Sequence, residues 1–237
     1  MDVNHGARSK GLFGVLALAA ALGLAVATAI IAAPMAKGQS IGGGNGDAGT
    51  CFGRDVTIAG TSGPDVIVGT FGTDVIKTFA GDDSVRGEAD FAGIPGGAAD
   101  FICLGDGDDV ADGAAGADAV SGGPGDDILD GDNFPSPFGD KLYGGTGDDT
   151  FTGGQGDDLI VGGPGNDTID NGSGTTVNQG SDTVFGGTGN DLINEAGDGS
   201  IDNIDAGPGN DTCIVDPADN VSNCELVIET PTGDSSG

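Results

Sequence analysis

Apolar residues recur along this chain at intervals of nine. Between residues 60 and 214 they hold the eighth place of a repeating unit: Ile67, Ile76, Val85, Ile102, Val120, Leu129, Leu142, Phe151, Ile160, Ile169, Val184, Ile193 and Ile204. Each follows an aspartate at place six, and the regular copies put glycine at places one, two and four. The pattern is cleanest at Gly144–Asp170, which reads GGTGDDTFT, GGQGDDLIV, GGPGNDTID without interruption. A helix buries every third or fourth residue and a half-buried strand every second. A period of nine is instead that of a repeated supersecondary unit, one tight turn and one short strand per copy. If the chain reverses side at each turn, two units close one coil.

Fifteen copies run in sequence over 60–214. Those at 87–103, 131–143, 171–185 and 195–205 carry extra residues, and these are the fourth, eighth, twelfth and fourteenth copies. All are even-numbered, so every insertion falls on one edge of the expected coil. The odd edge keeps an unbroken series, Asp65, Asp83, Asp109, Asp127, Asp149, Asp167, Asp191 and Asp211, each with glycine two places earlier. On the even edge, Ala98, Phe138 and Ser200 stand where three of those glycines would be.

The residue types at these places point to a metal. Glycine lets the backbone turn with positive φ and aim its carbonyl oxygens inward. Aspartate adds a carboxylate where the turn ends. Calcium takes six to eight oxygens, carboxylate and carbonyl mixed. One turn cannot supply that many, but two turns stacked at about 4.8 Å can. The candidate ligands are Asp65, Asp74, Asp83, Asp109, Asp118, Asp127, Asp149, Asp158, Asp167, Asp182, Asp191 and Asp211. Several Ca2+ ions are expected, up to seven of them in the gaps of the odd edge, with fewer on the even edge.

Charge narrows the partners. The chain has 237 residues, 38 Asp and Glu against 7 Lys and Arg, and a net charge of −31. Nucleic acid and anionic membrane surfaces would be repelled, and cations are the natural ligands. Place eight offers about one buried apolar side chain per nine residues. Burying one returns about 1.5–3 kcal/mol, whereas ordering each residue costs about 1–2 kcal/mol. The stacked carboxylates also repel one another. The repeat region is therefore expected to fold only with calcium.

The nonapeptides resemble those of the RTX, or haemolysin-type, calcium-binding proteins. The resemblance covers 60–214. It implies an all-β fold, a parallel β-roll (β-solenoid) of about fifteen nonapeptide turns with short N- and C-terminal caps. It also implies calcium held in the turns by the place-six aspartates. Many members of that family carry a separate catalytic or pore-forming domain, for which this chain has no room.

The flanks divide into three segments. Residues 1–38 read as a signal peptide or signal anchor, with Arg8 and Lys10 before the apolar run Gly11–Ala33. Residues 39–59 read as a linker and N-terminal cap, and 215–237 as a C-terminal cap and tail. The export signal makes the protein extracellular, with membrane contact only if the signal is uncleaved. Cys51, Cys103, Cys213 and Cys224 suit that compartment as two disulfides. Of three possible pairings the short loop favours Cys213–Cys224, leaving Cys51–Cys103. The loop Asn133–Phe138 is expected to fold over the flank of the roll.

No catalytic constellation emerges. The only histidine is His5, so neither a Ser-His-Asp nor a Cys-His site can be built in the mature chain. Asp106–Gly113 hints at an EF-hand loop, but Ala117 stands where that loop needs glutamate. The expected function is a secreted calcium-binding scaffold or adhesive surface. The alternative is an extracellular hydrolase or lyase acting on polysaccharide, with carboxylate pairs such as Asp126-Asp127 as its acid and base. A protein or glycan partner leaves no signature.

Overall fold

The computed structural model describes residues 49–88, 97–132, 137–171, 180–197 and 199–230. The signal segment, most of the linker, Asn133–Ser136 of the aromatic loop and the tail after 230 lie outside the described residues.

Two nine-stranded parallel sheets face each other. One takes its repeat strands from the odd copies: Val66–Val68, Ser84–Arg86, Val110–Asp112, Ile128–Asp130, Thr150–Thr152, Thr168–Asp170, Leu192–Asn194 and Thr212–Val215, closed by Leu226–Glu229. The other takes them from the even copies: Val75–Ala80, Phe101–Asp106, Ala119–Pro124, Lys141–Thr146, Leu159–Pro164, Thr183–Thr188 and Asn203–Asp205, flanked by Ile58–Ala59 and Asn220–Ser222. Successive strands alternate between sheets, so each nonapeptide carries the chain halfway round. The expected fifteen turns therefore close about seven coils rather than fifteen.

Register is set by place eight. Ile67, Val85, Ala111, Leu129, Phe151, Ile169, Ile193 and Cys213 align strand on strand in the odd sheet. Ile76, Ile102, Val120, Leu142, Ile160, Val184 and Ile204 align in the even sheet. A slip of one residue would turn each of these outward. The insertions are absorbed within turns, and Ile76 still pairs with Ile102 across a stretched copy.

The core is richer than the sequence reading allowed. Place one also turns inward. Most copies have glycine there, which hides the direction, but Thr78, Leu104 and Ala206 in that place are all buried, as is Val215 directly after the last copy. Leu104, Ala206 and Val215 join the place-eight residues in one continuous cluster.

The disulfides pair as the short-loop argument favours, Cys51–Cys103 and Cys213–Cys224. The first ties the segment before the repeats to the outer face of the even sheet. There Phe52 packs against Phe101 and Tyr143, with ring centroids 6.2 and 5.9 Å apart. The Arg54 guanidinium sits 3.9 Å from the centre of the Phe101 ring.

Candidate metal centre

Each place-six aspartate stands one residue before its strand, and both its backbone groups are engaged. Its carbonyl accepts the first strand N–H of the following coil on that edge, as Asp149 does from Thr168 at 2.8 Å. Its N–H donates to Oδ1 of the aspartate in that coil, as Asp149 does to Asp167 at 2.9 Å. The odd edge repeats this bond from Asp65 through Asp83, Asp109, Asp127, Asp149, Asp167 and Asp191 to Asp211, at 2.7–2.9 Å. Asp211 in turn donates to a carboxylate oxygen of Glu225 at 2.9 Å.

The even edge has the same ladder. Asp74, Asp100, Asp118, Asp140, Asp158, Asp182, Asp202 and Asp219 follow one another at 2.7–3.1 Å. The column of aspartates is thus as continuous on the even edge as on the odd one. Insertions lengthen the turns, but strand pairing returns each aspartate to the column. All twelve candidate aspartates lie on the two ladders. Asp100, Asp140 and Asp202 join them; in these stretched copies Ala98, Phe138 and Ser200 replace the glycine two places earlier, although each aspartate directly precedes its strand triplet. Asp219 and Glu225 lie beyond the last nonapeptide and carry no motif signal.

The second carboxylate oxygen separates these residues. Oδ2 of Asp83, Asp100, Asp109, Asp118, Asp127, Asp140, Asp149, Asp158, Asp167, Asp191 and Asp211 is buried without a hydrogen-bond partner. It lies over the place-one residue of its own turn, and a Cβ on Gly113 would meet Asp118 Oδ2 at 2.8 Å and the Gly131 carbonyl oxygen of the next coil at 2.8 Å. Three candidates differ. Asp65 Oδ2 accepts the Thr61 N–H at 2.6 Å and hydroxyl at 3.1 Å. Asp74 Oδ2 accepts the Thr70 N–H at 2.6 Å and hydroxyl at 2.9 Å. Asp182 Oδ2 accepts the Asn171 amide at 2.8 Å.

Burial makes several of these carboxylates reluctant to ionise. It pushes Asp109, Asp127 and Asp167 up to about 6, from an ordinary 3.8. Asp118, Asp149 and Asp158 rise to about 7. Asp100 rises to about 8 and Asp140 to about 9. Burial is the largest cause in each. Like charges add to it, as Asp118, Asp158 and Asp130 do around Asp140.

Main-chain oxygens lie beside the ladders. Gly145 and Gly147 have φ of 127° and 131°. A Cβ on either would collide with the carbonyl oxygen of Gly123 or Gly125 one coil earlier. These glycines thus let carbonyls of successive coils stack closely along the turn. Outside the odd ladder runs a second, exposed column at place five: Asp82, Asp108, Asp126, Asp148, Asn166, Asn190 and Asn210. Each N–H after the first donates to the side chain one coil earlier, at 2.7–3.4 Å. Neighbouring carboxylates such as Asp126 and Asp127 are therefore divided between solvent and interior.

Among the described residues, no group of three or more His, Cys, Asp or Glu side chains is gathered ready to hold a metal. The repeat geometry accounts for this, because successive coils bring ladder carboxylates together in pairs, with main-chain carbonyls beside them. An all-oxygen donor set with unpartnered carboxylate oxygens fits a hard divalent cation of calcium's type. A family model described as RTX calcium-binding nonapeptide repeat matches residues 59–91, 104–134, 143–177, 176–194 and 196–217. No curated protein matches the chain.

Proposed function

The chain belongs to the family of RTX calcium-binding nonapeptide repeats, and from that premise we propose an exported protein whose roll folds around several Ca2+ ions. It serves as a calcium-stabilised extracellular scaffold or adhesive surface and performs no catalysis of its own. Bound calcium supplies positive charge and a centre for six to eight oxygens. The ligands are the place-six aspartates of both edges, Asp100, Asp140 and Asp202 included. Asp65, Asp74 and Asp182 contribute least, because Thr61, Thr70 and Asn171 already occupy their Oδ2 atoms.

The observation that carries this reading is the series of buried, unpartnered Oδ2 atoms along both ladders. Leaving one buried polar atom unsatisfied costs about 1–3 kcal/mol, and more if charged. Eleven of them together match or outweigh the about 5–15 kcal/mol by which a whole domain is stable. A cation shared between successive coils relieves so regular a series with the carboxylates ionised. Export is supported by the two disulfides, which persist in oxidising compartments. Against catalysis, the adjacent carboxylates Asp126 and Asp127 face opposite ways and share no cleft.

Calorimetric titration of the purified chain with calcium, with circular dichroism followed in parallel, tests the reading. Several ions per chain should bind as β signal appears. A β signal identical in excess EDTA and excess calcium would sink it.

A further inference from the structure

Among the described residues, both ends of the roll finish in open strand edges. Val66–Val68 and Leu226–Glu229 are the outermost strands of one sheet, Ile58–Ala59 and Asn220–Ser222 those of the other. An outermost strand directs a row of main-chain N–H and C=O groups away from its sheet. Repeat folds remain soluble when the outer surface of the terminal coil is polar. The last strand here is apolar instead, with Leu226, Val227 and Ile228 each 43–52 % exposed. Val227 pairs with Cys213, so it continues the inward column of the odd sheet and ends it in the open. At the other end Ile67 heads the same column and is only partly buried. Val221 and Ile58 end the even column in the same way.

The two ends complement each other bond for bond. The first strand residue of a coil donates its N–H to the place-six carbonyl of the coil before, as Ser84 does to Asp65 at 2.9 Å and Leu226 to Asp211 at 3.0 Å. Val66 is the first strand residue of the first odd strand, and Glu225 stands at place six of the last. The Val66 N–H and the Glu225 carbonyl are thus the donor and acceptor with which that bond continues from one chain to the next. The ladder continues with it. Asp211 donates its N–H to Glu225 at 2.9 Å, and Asp65 of a following copy takes the next rung. Only a stacking of C-terminal end on N-terminal end keeps the strands parallel and both inward columns in register.

Charge favours the same orientation. Residues 49–88 hold three Lys and Arg against six Asp and Glu, whereas 199–230 hold seven Asp and Glu and no Lys or Arg. Joining two C-terminal ends would set the more acidic end against itself. Joining C-terminal to N-terminal end sets it against the end that carries Arg54, Lys77 and Arg86. Residues 231–237 contain no Val, Ile, Leu or aromatic side chain with which to cover Val227.

We propose that the roll stacks head to tail on further copies of this chain, the last coil of one pairing its strands with the first coil of the next. The contact is heterologous and does not close, so it builds an open filament rather than a dimer. It buries the two column ends against each other. The proposal requires a folded roll and so rests on the calcium reading above.

Sedimentation velocity of the purified full chain in excess calcium, over rising concentration, tests it, with circular dichroism reporting the fold of each variant. Species larger than a dimer should accumulate in the parent. Val66→Pro removes the edge N–H at the first coil, and Val227→Lys sets a charge at the end of the inward column. Each variant alone should remain monomeric with the parent's β signal. Mixed in equal amounts they should form a dimer and nothing larger, because each supplies the end that the other lacks. Leu226→Lys, on the same edge, replaces Val227→Lys if that variant loses β signal. A parent that is folded in calcium yet monomeric at every concentration would overturn the proposal and leave the calcium reading standing. Association that persists in both variants, or a Val66→Pro chain that still dimerises by itself, would also overturn it.

Discussion

Asparagine in place of Asp149 removes a charge while keeping the shape of the ladder. Asp149 Oδ1 accepts the Asp127 N–H at 2.9 Å, and an amide oxygen can do the same. Its Oδ2 is buried and unpartnered. Burial, then Asp127 and Asp167, raise its carboxyl from 3.8 to about 7. A rise of about 3 units corresponds to about 4 kcal/mol against holding the ionised form in the folded, calcium-free chain. At about pH 8 the amide is spared that cost, so Asp149→Asn should make the calcium-free chain more structured than the parent. In excess calcium the sign reverses. The ion in that gap loses a charged ligand, and a loss of about 10–100-fold in affinity is about 1.4–2.7 kcal/mol. Urea unfolding followed by circular dichroism, in excess EDTA and in excess calcium, gives both signs. If the substitution lowered the β signal equally in both conditions, the carboxylate would be a structural hydrogen-bond acceptor and the metal argument would fail at this position.

Three other outcomes follow from the same geometry. The folded values near 6 to 9 for the ladder carboxylates lie above an unfolded value of about 3.9. Their contribution to calcium-free stability is therefore fully present below about pH 4 and is lost as pH rises through about 6 to 9. In EDTA, acidification from about pH 8 to about pH 5 should raise the β signal, and calcium affinity should fall over the same range as protons compete; a β signal that declined on acidification would contradict this. Phe151→Ala empties a fully buried place-eight position and should cost about 3–5 kcal/mol, read as a higher calcium concentration at the folding midpoint. Removing Cys51–Cys103, which closes a separation of 52 residues, should cost up to about 4 kcal/mol by loop entropy, and Cys213–Cys224, at 11 residues, about 3 kcal/mol. Thermal melts in calcium of the paired Cys→Ser variants rank the two.

The sequence by itself determined the period, the inward column at place eight, the alternation of sides and the identity of the odd-edge aspartates. These are legible because each is local. Glycines fix the turn within one nonapeptide, and a single apolar side chain per unit leaves little freedom in which face is buried. Only the tertiary structure decided which oxygens remain without partners. Asp74 and Asp83 look alike in sequence, yet Thr70 hydrogen-bonds to Asp74 Oδ2 while Asp83 Oδ2 has no partner. Whether an oxygen is satisfied depends on groups brought to it by the turn's conformation and the neighbouring coils. The continuity of the even ladder was hidden for a related reason. Inserted residues break the count along the chain, but strand pairing sets register through space and returns Asp100, Asp140 and Asp202 to their column. The inward direction of place one was concealed by glycine, which has no side chain to reveal it. It became visible where Leu104, Asn171 and Glu195 stand instead, each of them buried.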